Sequence, residues 1–452
     1  MLEKIYLSLP SFFQNILISI AAIPLNIRRK SGVAPSFIES GELETFQSEK
    51  IKHALRNAMK SEYWSSSFKK YNLDVFASDI KMELKKLPIV DKQEVVKNSE
   101  HISISAKNLI ELKTSGTTGA GLKLTTTKYA ESMMWSFFER YRSRFGLKHS
   151  DWCGYFCGRT LKKPDDFTSP NYRINYLGKQ IMFSCYHLCD SSVESYVKSL
   201  NEYQPPWIHG YPSFLSLLSN LALESKIQLN YKPKAITLGS ESVSLQQRER
   251  IYSFFKVEPS ELYCQTEGVA MISECEFGHL HVDEEFSLVE FSRLDENSEL
   301  YEVIGTSFFN DSFPLFRYNT GDIVELLNEY CQCGGGRIVK SIDGRKEEYL
   351  ELPGGIRVGR LDHIFKSMVN VKEAQIFQRL DLSVLFRVVK GEKYTDADEK
   401  ILREEINKRL PGTVRYKIEY VDLVERTSSG KLRFVIRECH EPKENLQQYV
   451  SK

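Results

Sequence analysis

The feature that most restricts the fold of this chain is the run from Thr114 to Lys123, which reads TSGTTGAGLK. Three glycines and four hydroxyl residues share these ten positions. Glycine permits positive φ angles, so that backbone N–H and side-chain O–H groups can converge on one anion. The flanking segments 108–112 and 122–127 predict short β-strands. The run therefore indicates a phosphate-binding loop between two strands, the alternative being a flexible surface loop.

The loop is not a Walker P-loop, because Leu122 occupies the position at which that motif needs lysine. It resembles instead the phosphate-binding signature of the AMP-forming adenylate-forming superfamily, the acyl-CoA synthetases and their relatives. The resemblance implies that the loop holds the β- and γ-phosphates of ATP while a carboxylate attacks the α-phosphate. The residues assigned to this role are Thr114, Ser115, Gly116, Thr117, Thr118, Gly119 and Lys123.

Size and composition restrict the protein class. A chain of 452 residues predicts one large domain and a smaller one. The net charge of +1 disfavours polyanion binding, and we expect no nucleic-acid partner. Nine cysteines, an odd number in a long chain, do not suggest a secreted disulfide framework, so the reducing cytoplasm is expected.

The N-terminal segment 1–30 is strongly apolar and ends in Arg28, Arg29 and Lys30. Its apolar run is broken by Pro10 and Pro24 and is shorter than the roughly 20 residues that a bilayer requires. Phe12, Ile16, Ile20 and Ile23 repeat at helical spacing, which predicts a helix docked on the domain. The alternative is a helix on a membrane surface, peripheral to the inner membrane face.

Apolar periodicity predicts helices over 43–71, with Ile51, Leu55 and Met59 on one face, and over 128–145. Strand-like and helical segments then alternate between Asp151 and Leu238. The alternation indicates an α/β fold with a large layered N-terminal α/β domain.

Three further segments match the superfamily in its expected order. YCQTEG resembles its tyrosine-x-x-threonine-glutamate turn, which assigns Tyr263 and Thr266 to the nucleotide and Glu267 to catalysis as a Mg²⁺ ligand. RYNTGD resembles the next motif, in which Asp322 accepts hydrogen bonds from the ribose hydroxyls. RTSSGKLR resembles the terminal loop, in which Lys431 stabilises charge between the carboxylate and the α-phosphate.

The segment IDGRKEE is similar to the hinge of the superfamily, and it assigns Arg345 to ribose or phosphate. Relatives commonly have aspartate where Glu347 and Glu348 stand, so the pivot is placed to within about a residue. The resemblance implies an N-terminal adenylation domain, 1–345, and a small mobile α+β domain, 346–452, with the active site in the crevice between them.

Within the superfamily the chain looks closest to the phenylacetate–CoA ligase branch, and there to proteins associated with capsular polysaccharide biosynthesis. Ser184–Leu188 and His209–Ser213 contribute to this narrower resemblance. It implies an acyl pocket near Tyr186, His187 and Tyr211, although His187 is equally well explained as an interior histidine. Gly239, Ser240 and Glu241 resemble the loop beside adenine.

Four residues suggest a zinc site. Cys331 and Cys333 are one residue apart, and Cys275 with His281 completes a set of four, His279 being a rival to His281. Some relatives in the same branch carry structural zinc in this region, which favours zinc over reduced, buried cysteines.

The resemblance thus implies an ATP- and Mg²⁺-dependent ligase that converts a carboxylic acid into an acyl adenylate and releases pyrophosphate. The acyl group is then expected to pass to a thiol, with coenzyme A as the leading acceptor, and the narrower resemblance implies a role in surface polysaccharide biosynthesis. One alternative is transfer to a carrier protein or an amino sugar. Another is a catalytically silent nucleotide-binding scaffold. The acid and the oligomeric state do not follow from the sequence.

Overall fold

The structure is a computed structural model of the chain. It describes residues 2–24, 33, 38, 40–113, 122–156, 159, 161–163, 166, 168–294, 298–345, 350–351, 357–358, 361–365, 368, 370–410, 414–426 and 432–438. The chain forms two compact units. The first unit contains residues 1–22, 150–260 and 343–452, and the second contains 23–149 and 261–342.

The middle segment of the first unit has the alternating pattern expected of an α/β layer. Its strands are β3 (Cys153–Phe156), β4 (Tyr172–Asn175), β5 (Gln180–Phe183), β6 (Trp207–Gly210) and β7 (Ala235–Gly239), and the helices between and after them are Val193–Tyr203, Pro212–Glu224 and Leu245–Phe255. The strands lie in the order β7-β6-β3-β5-β4. Strand β3 is parallel to β5 and β6, β6 is parallel to β7, and β4 is an antiparallel edge.

The C-terminal part of the first unit has its own sheet, with the order β19-β18-β17-β20, and its own hydrophobic core. Ile376, Phe386, Leu402 and Ile406 are fully buried in that core. The elements are β15 (Leu350–Glu351), β16 (Arg357–Val358), a 3₁₀ turn (Leu361–Ile364), β17 (Val371–Gln378), β18 (Val384–Lys390), a helix (Asp396–Arg409), β19 (Tyr416–Tyr420) and β20 (Val435–Arg437). The expected small α+β domain is confirmed, whereas its start at residue 346 stays a prediction.

The N-terminal helices α1 (Leu2–Ser8) and α2 (Ser11–Ala21) confirm a docked helix but not the expected docking face. Helix α2 packs beside strand β4, and its buried residues are Gln14 and Ser19. Phe12, Ile16 and Ile20 are exposed, so the expectation that the apolar stripe faces the domain is wrong. The reason is that β4 is a sheet edge, whose N–H groups need oxygen acceptors. No helix in the described part of the chain is both long and apolar enough to cross a membrane.

The second unit combines short helices with a mainly antiparallel set of strands, ordered β11-β12-β13-β14-β10-β9-β8. The strands are β8 (Pro259–Cys264), β9 (Met271–Glu274), β10 (Leu280–Val282), β11 (Ser287–Arg293), β12 (Leu300–Ser307), β13 (Tyr318–Leu327) and β14 (Ile338–Arg345). The helices are Ser40–Ala58, Glu62–Lys70, Ile80–Leu84, Lys92–Lys97, Ser99–Ile102 and Lys128–Ser143. A core of aromatic and aliphatic residues joins these helices to the strands.

The helical prediction for 43–71 needs one correction. Two helices replace the single pattern, because the first ends at Ala58 and Ser61 caps the second by accepting a hydrogen bond from the Trp64 N–H. Ile51 and Leu55 are fully buried as expected, but Met59 lies beyond the helix end and is 51% exposed. The strands predicted around the glycine-rich loop are confirmed as an antiparallel pair, β1 (Ile110–Lys113) and β2 (Lys123–Thr126).

Candidate active site

The predicted phosphate loop, from Thr114 to Gly121, lies outside the described residues. The strands that enter and leave it are paired so that Leu112 faces Leu124 and Lys113 faces Lys123. Lys123 begins the second strand and is exposed. The end of β1 is therefore paired with the start of β2, which is the arrangement of a β-hairpin.

Tyr263 and Asp322, predicted from two separate motifs, are joined by a hydrogen bond in the second unit. The Tyr263 hydroxyl donates to Asp322 Oδ2 at 2.6 Å, although the residues are 59 positions apart. Gln265 Nε2 donates to the same hydroxyl, and Gln265 Oε1 accepts from the Ala270 N–H at 3.2 Å. Burial first, and the neighbouring Asp322 second, raise the pKa of Tyr263 well above its usual range. The tyrosine is therefore a neutral donor that fixes the carboxylate.

The turn before Asp322 is built by its own polar side chains. Asn319 Oδ1 accepts from the Gly321 N–H at 2.8 Å, and Thr320 Oγ1 accepts from the Asp322 N–H at 3.1 Å. The Thr320 hydroxyl also donates to the Val303 carbonyl at 3.0 Å. Gly321 has a φ of +75°, which favours glycine there. Asp322 is thus held on a rigid turn and is only 7% exposed.

Glu267 lies on the turn after β8, next to exposed Thr266. The Tyr318 hydroxyl donates to Glu267 Oε1 at 3.3 Å, and Tyr318 is itself buried in the core. Gly268 has a φ of +65°, so the chain reverses directly after the glutamate. Carboxylate oxygen is a preferred ligand of Mg²⁺, and Glu267 is anchored without being buried.

Arg317 holds the start of the motif that contains Asp322. Its guanidinium donates to both carboxylate oxygens of Glu290 at 3.1 Å, and to the Leu87 carbonyl at 2.7 Å. Such paired contacts fix orientation as well as charge. The role of Arg317 is therefore to position the turn that follows it.

The four predicted zinc ligands converge. Single ligand atoms of Cys275, His281, Cys331 and Cys333 all lie within 4.8 Å of one another. The Sγ atoms of Cys275 and Cys331 are 3.7 Å apart, and Cys333 Sγ is 3.3 Å from His281 Nε2. Zinc–ligand distances of about 2.0 to 2.3 Å in a tetrahedron fit separations of this size. The converging histidine is His281, not its rival His279.

The backbone around this cluster is shaped to it. The Gly336 carbonyl accepts from His281 Nδ1–H at 2.7 Å, which leaves Nε2 facing the thiols. The N–H groups of Phe277 and Gly335 donate to the sulfur atoms of Cys275 and Cys333. A Cβ on Gly335 would lie 2.8 Å from the His281 ring, so glycine is required. The donor set and its surroundings fit a closed structural zinc site.

In the first unit, Gly239 ends strand β7, and Ser240 follows in a left-handed conformation with a φ of +70°. Glu241 then accepts hydrogen bonds from two segments that are distant in sequence. Its Oε2 accepts from the Ser213 N–H at 3.1 Å, and its Oε1 accepts from the Leu432 N–H at 2.7 Å. Burial raises the pKa of Glu241, against the opposing effect of Arg426.

Arg426 completes this anchor. Its guanidinium donates to Ser213 Oγ at 3.0 Å and to Glu373 Oε1. Backbone pairing between Arg426 and Leu432 closes the segment between them. The predicted catalytic Lys431 falls in that segment and lies outside the described residues, but both ends of the segment are held at Ser213 and Glu241.

The three residues predicted for the acyl pocket differ in burial. His187 is 1% exposed. Its Nδ1 lies 2.6 Å from Ser184 Oγ, and its Nε2 lies 2.9 Å from the Lys163 carbonyl oxygen. Since a carbonyl can only accept, Nε2 carries the proton and Nδ1 accepts from Ser184. Burial lowers the pKa of His187. Tyr211 is packed in the core, whereas Tyr186 is half-buried. The contacts of His187 favour the interior-histidine interpretation.

Arg345 ends strand β14, and its side chain lies outside the described part of the chain. Sequence reasoning missed three partners of the predicted residues: Gln265, Tyr318 and Arg426. Each of them falls inside a motif that the sequence singled out. The motif positions were therefore the available signal, but which atoms they contact depends on the fold.

Two comparisons with known proteins relate the chain to protein CapK. Residues 352–438 match the family model of the CapK C-terminal domain. The chain is 27% identical over 453 aligned positions to protein CapK of Staphylococcus aureus, covering 96% of this chain and 99% of CapK.

The solved structures that it resembles include 2-hydroxyisobutyryl-CoA ligase in the postadenylation state with 2-HIB-AMP, with a TM-score of 0.67, 15% identity and coverage of 89% and 90% of the two chains. The GH3.15 acyl acid amido synthetase has a TM-score of 0.55 at 12% identity, with coverage of 86% and 90%. The expected mixed α/β fold is confirmed by these likenesses. The chain is thus similar to protein CapK over nearly its whole length, matches the CapK C-terminal domain over residues 352–438, and has the fold of the adenylate-forming ligases.

Proposed function

We propose that the chain is an adenylate-forming ligase, which activates a carboxylic acid with Mg·ATP and releases pyrophosphate. The observation that carries the proposal is the hydrogen bond between Tyr263 and Asp322. The superfamily resemblance assigns the tyrosine to adenine and the aspartate to ribose, and a nucleoside requires the two groups side by side. Two motifs 59 residues apart supply them in direct contact.

In the proposed reaction Asp322 accepts hydrogen bonds from the ribose hydroxyls, and Tyr263 keeps its carboxylate oriented. Glu267, anchored by Tyr318, would hold the Mg²⁺ ion, which would neutralise phosphate charge when bound. The glycine-rich loop from Thr114 to Gly119, with Lys123, would bind the β- and γ-phosphates, with Arg345 at the ribose or phosphate and Thr266 beside the nucleotide. The carboxylate oxygen of the acid attacks the α-phosphorus, and the bond to pyrophosphate breaks.

Lys431 would stabilise the negative charge that develops during this attack. Support comes from the anchors at both ends of its segment, Arg426 on Ser213 and Leu432 on Glu241. A lysine on a segment held at two points is positioned with a smaller loss of conformational entropy. Glu241 is in this proposal a positioning residue, in addition to its assignment with Gly239 and Ser240 to the adenine loop.

For the second step we propose transfer to a thiol, with coenzyme A as the leading acceptor. The thiol sulfur attacks the acyl carbonyl carbon, and AMP leaves. Likeness to a CoA ligase supports this acceptor, and likeness to an acyl acid amido synthetase supports an amine acceptor as the second candidate. The proposed link with surface polysaccharide biosynthesis rests on the narrower sequence resemblance alone.

We also propose that Cys275, His281, Cys331 and Cys333 hold a structural zinc ion. With four protein ligands no position stays open for substrate, so the ion would fold the chain and take no part in the reaction. None of the seven cysteines among the described residues is in a disulfide, which suits thiolate ligands and the proposed reducing cytoplasm.

The test is pyrophosphate release from Mg·ATP with a broad panel of carboxylic acids, compared between the wild type, Lys431→Ala and Glu267→Gln. Lys417→Ala, an exposed lysine of β19, is the matched control. Release that depends on the acid, falls at least about 100-fold in the two site variants and persists in the control is the expected result. AMP release with CoA, a pantetheine carrier or an amino sugar then identifies the acceptor.

Binding of ATP without release for any acid would contradict the proposal and favour the silent scaffold. Equal release by the wild type and Lys431→Ala would contradict the assigned role of the lysine. A higher rate with an amino sugar than with CoA would replace the thiol step by amide formation.

A further inference from the structure

The N-terminal helix α2 exposes its apolar side. At about 100° per residue, Phe12, Ile16, Ile20, Phe13 and Leu17 occupy an arc of about 140°. All five are exposed, between 38% and 66%. Between Ile5 and Ile23 lie seven of the 25 large hydrophobic side chains that are exposed among the described residues. A concentration of this kind marks a binding surface.

The opposite side of the helix is polar and fixed to the edge of the sheet. Asn15 Oδ1 accepts from the Ile174 N–H at 2.9 Å, and Ser19 Oγ accepts from the Tyr176 N–H at 2.9 Å. Arg173, which is 6% exposed, donates to Gln14 Oε1. These contacts satisfy alternate N–H groups of edge strand β4. The helix therefore cannot roll its apolar side inward without leaving those groups unpaired.

The exposed surface continues onto the turn after β4. Tyr176 and Leu177 are each 53% exposed, and Tyr176 is joined to Ser19 by the hydrogen bond just described. Lys179, two positions further, places its ammonium 5.2 Å from the Trp152 ring. Aromatic, aliphatic and lysine side chains are the combination that suits a lipid–water interface.

The charge of the segment identifies the partner. The first 38 residues contain four basic residues, Lys4, Arg28, Arg29 and Lys30, and one acidic residue, Glu3. The chain as a whole is nearly neutral, at +1, so this excess is local. A second copy would bring the same positive charges together, whereas an anionic surface would be attracted.

We propose that α2 lies in the surface of an anionic lipid bilayer. Phe12, Phe13, Ile16, Leu17 and Ile20 enter the headgroup boundary, and the positive charge of the N-terminal sequence favours anionic headgroups. The polar side stays bound to strand β4, so the enzyme is held at the membrane by a helix that is part of its folded domain. This proposal does not depend on the adenylation chemistry.

The experiment is flotation of the full chain with vesicles rich in phosphatidylglycerol and with vesicles of phosphatidylcholine alone. The variant Phe12→Gln/Ile16→Gln/Ile20→Gln removes three exposed apolar side chains while retaining good helix formers. The matched control, Phe76→Gln/Met82→Gln/Leu423→Gln, removes three others that are 61% to 69% exposed elsewhere. A third variant, Arg28→Gln/Arg29→Gln/Lys30→Gln, tests the charge.

We expect the wild type and the control to float with anionic vesicles. The affinity of the α2 variant for these vesicles should be at least about ten-fold lower. The charge variant should lose its preference for the anionic vesicles, and added salt should weaken wild-type binding. Equal melting temperatures for the wild type and the α2 variant show that the fold is retained. The proposal is overturned if the folded wild type does not float with anionic vesicles. It is also overturned if the wild type is a dimer that binds no vesicles and the α2 variant is a monomer.

Discussion

At the scale of single residues, the candidate site depends on side chains that fix other side chains. Tyr263 orients Asp322, Tyr318 anchors Glu267, and Gln265 connects the Tyr263 hydroxyl to the Ala270 N–H. A buried carboxylate that loses a donor retains the cost of its removal from water. The effects of substitution should therefore be larger than the removed atom suggests.

We predict that Tyr263→Phe weakens ATP binding. The variant removes one oxygen and leaves Asp322, 7% exposed, without its tyrosine donor. A hydrogen bond to a charged group contributes about 1.5 to 3 kcal/mol, which corresponds to about ten- to a hundred-fold in affinity. Isothermal titration with ATP measures the change. Tyr301→Phe, which removes the 3.0 Å contact with Arg293 on an exposed face, is the control. An unchanged dissociation constant would refute the role of Asp322 at the ribose.

His187 gives a pH-dependent prediction. Burial lowers the pKa of its imidazole below the ordinary value of 6.5, so near that pH the unfolded chain binds more protons than the folded one. Stability therefore rises with pH, is complete above about 6.5 and is lost as the pH falls towards the lowered value. His187→Asn removes the titrating group and should lower the melting temperature at pH 7.5 by more than at pH 5.5. A melting-temperature difference that is constant across this range would contradict the assignment.

At the scale of elements, two loops depend on groups that lie far from them in sequence. The loop between β13 and β14 supplies Cys331 and Cys333, while Cys275 and His281 come from around β9 and β10. The segment that contains Lys431 is anchored by Glu241 and Ser213, about 190 and 213 positions away from their partners. In both cases the contacts join residues that are distant in sequence.

We predict that the zinc ion is needed for the first of these loops. Cys331→Ser should reduce the bound zinc from about one equivalent to nearly none, as measured by mass spectrometry of the purified protein. A loss of about 2 kcal/mol should lower the melting temperature by roughly 4 °C or more. Cys189→Ser, a free half-buried cysteine elsewhere, should retain the metal. Wild-type protein without zinc after expression in zinc-supplied medium would refute the site.

We predict that Glu241→Gln slows adenylation. The neutral amide weakens the bond from the Leu432 N–H and leaves Arg426 with one carboxylate fewer, so the lysine segment should be less well positioned. ATP–pyrophosphate exchange should fall about ten-fold or more with little change in melting temperature, in keeping with a loss of positioning. Glu249→Gln, an exposed glutamate on the helix Leu245–Phe255, is the control. A variant that binds ATP and exchanges normally would contradict the positioning role.

At the scale of the whole molecule, the chain leaves and re-enters each compact unit, so contacts cross large distances in sequence. The C-terminal part is the exception, since its sheet and core are formed within residues 350–437. It also contacts the middle segment, where Arg250 donates to the Lys372 carbonyl at 3.2 Å and Lys372 meets Glu224 at 3.5 Å. These contacts are polar, as is common between domains of one chain.

We predict that a fragment of residues 346–452 folds by itself. Its core contains fully buried Ile376, Phe386, Leu402 and Ile406, and its length suits a small domain. Circular dichroism should show a cooperative thermal transition, and proton NMR should show dispersed methyl signals. A fragment with no cooperative transition would refute the proposed domain boundary.

Much of the fold follows from local pattern. The antiparallel strands around the glycine-rich loop, strand β5 at 180–183 and the long helix at 128–143 agree with the apolar periodicity of those segments. Met59 shows where local reasoning stops, since the helix ends one residue earlier and the pattern does not reveal that end. Boundaries depend on caps and turns, which have weaker signals than the apolar face.

The sequence by itself determined the chemical types in the site, because motif composition specifies which donors and acceptors are present. It also restricted the candidate metal ligands to three cysteines and one of two histidines, His279 or His281. Only the tertiary structure decided which of these groups meet: Tyr263 with Asp322, Glu241 with Leu432, and His281 with Cys333. It also decided that α2 turns its polar side inward, because the unpaired N–H groups that attract that side belong to a strand about 160 residues away.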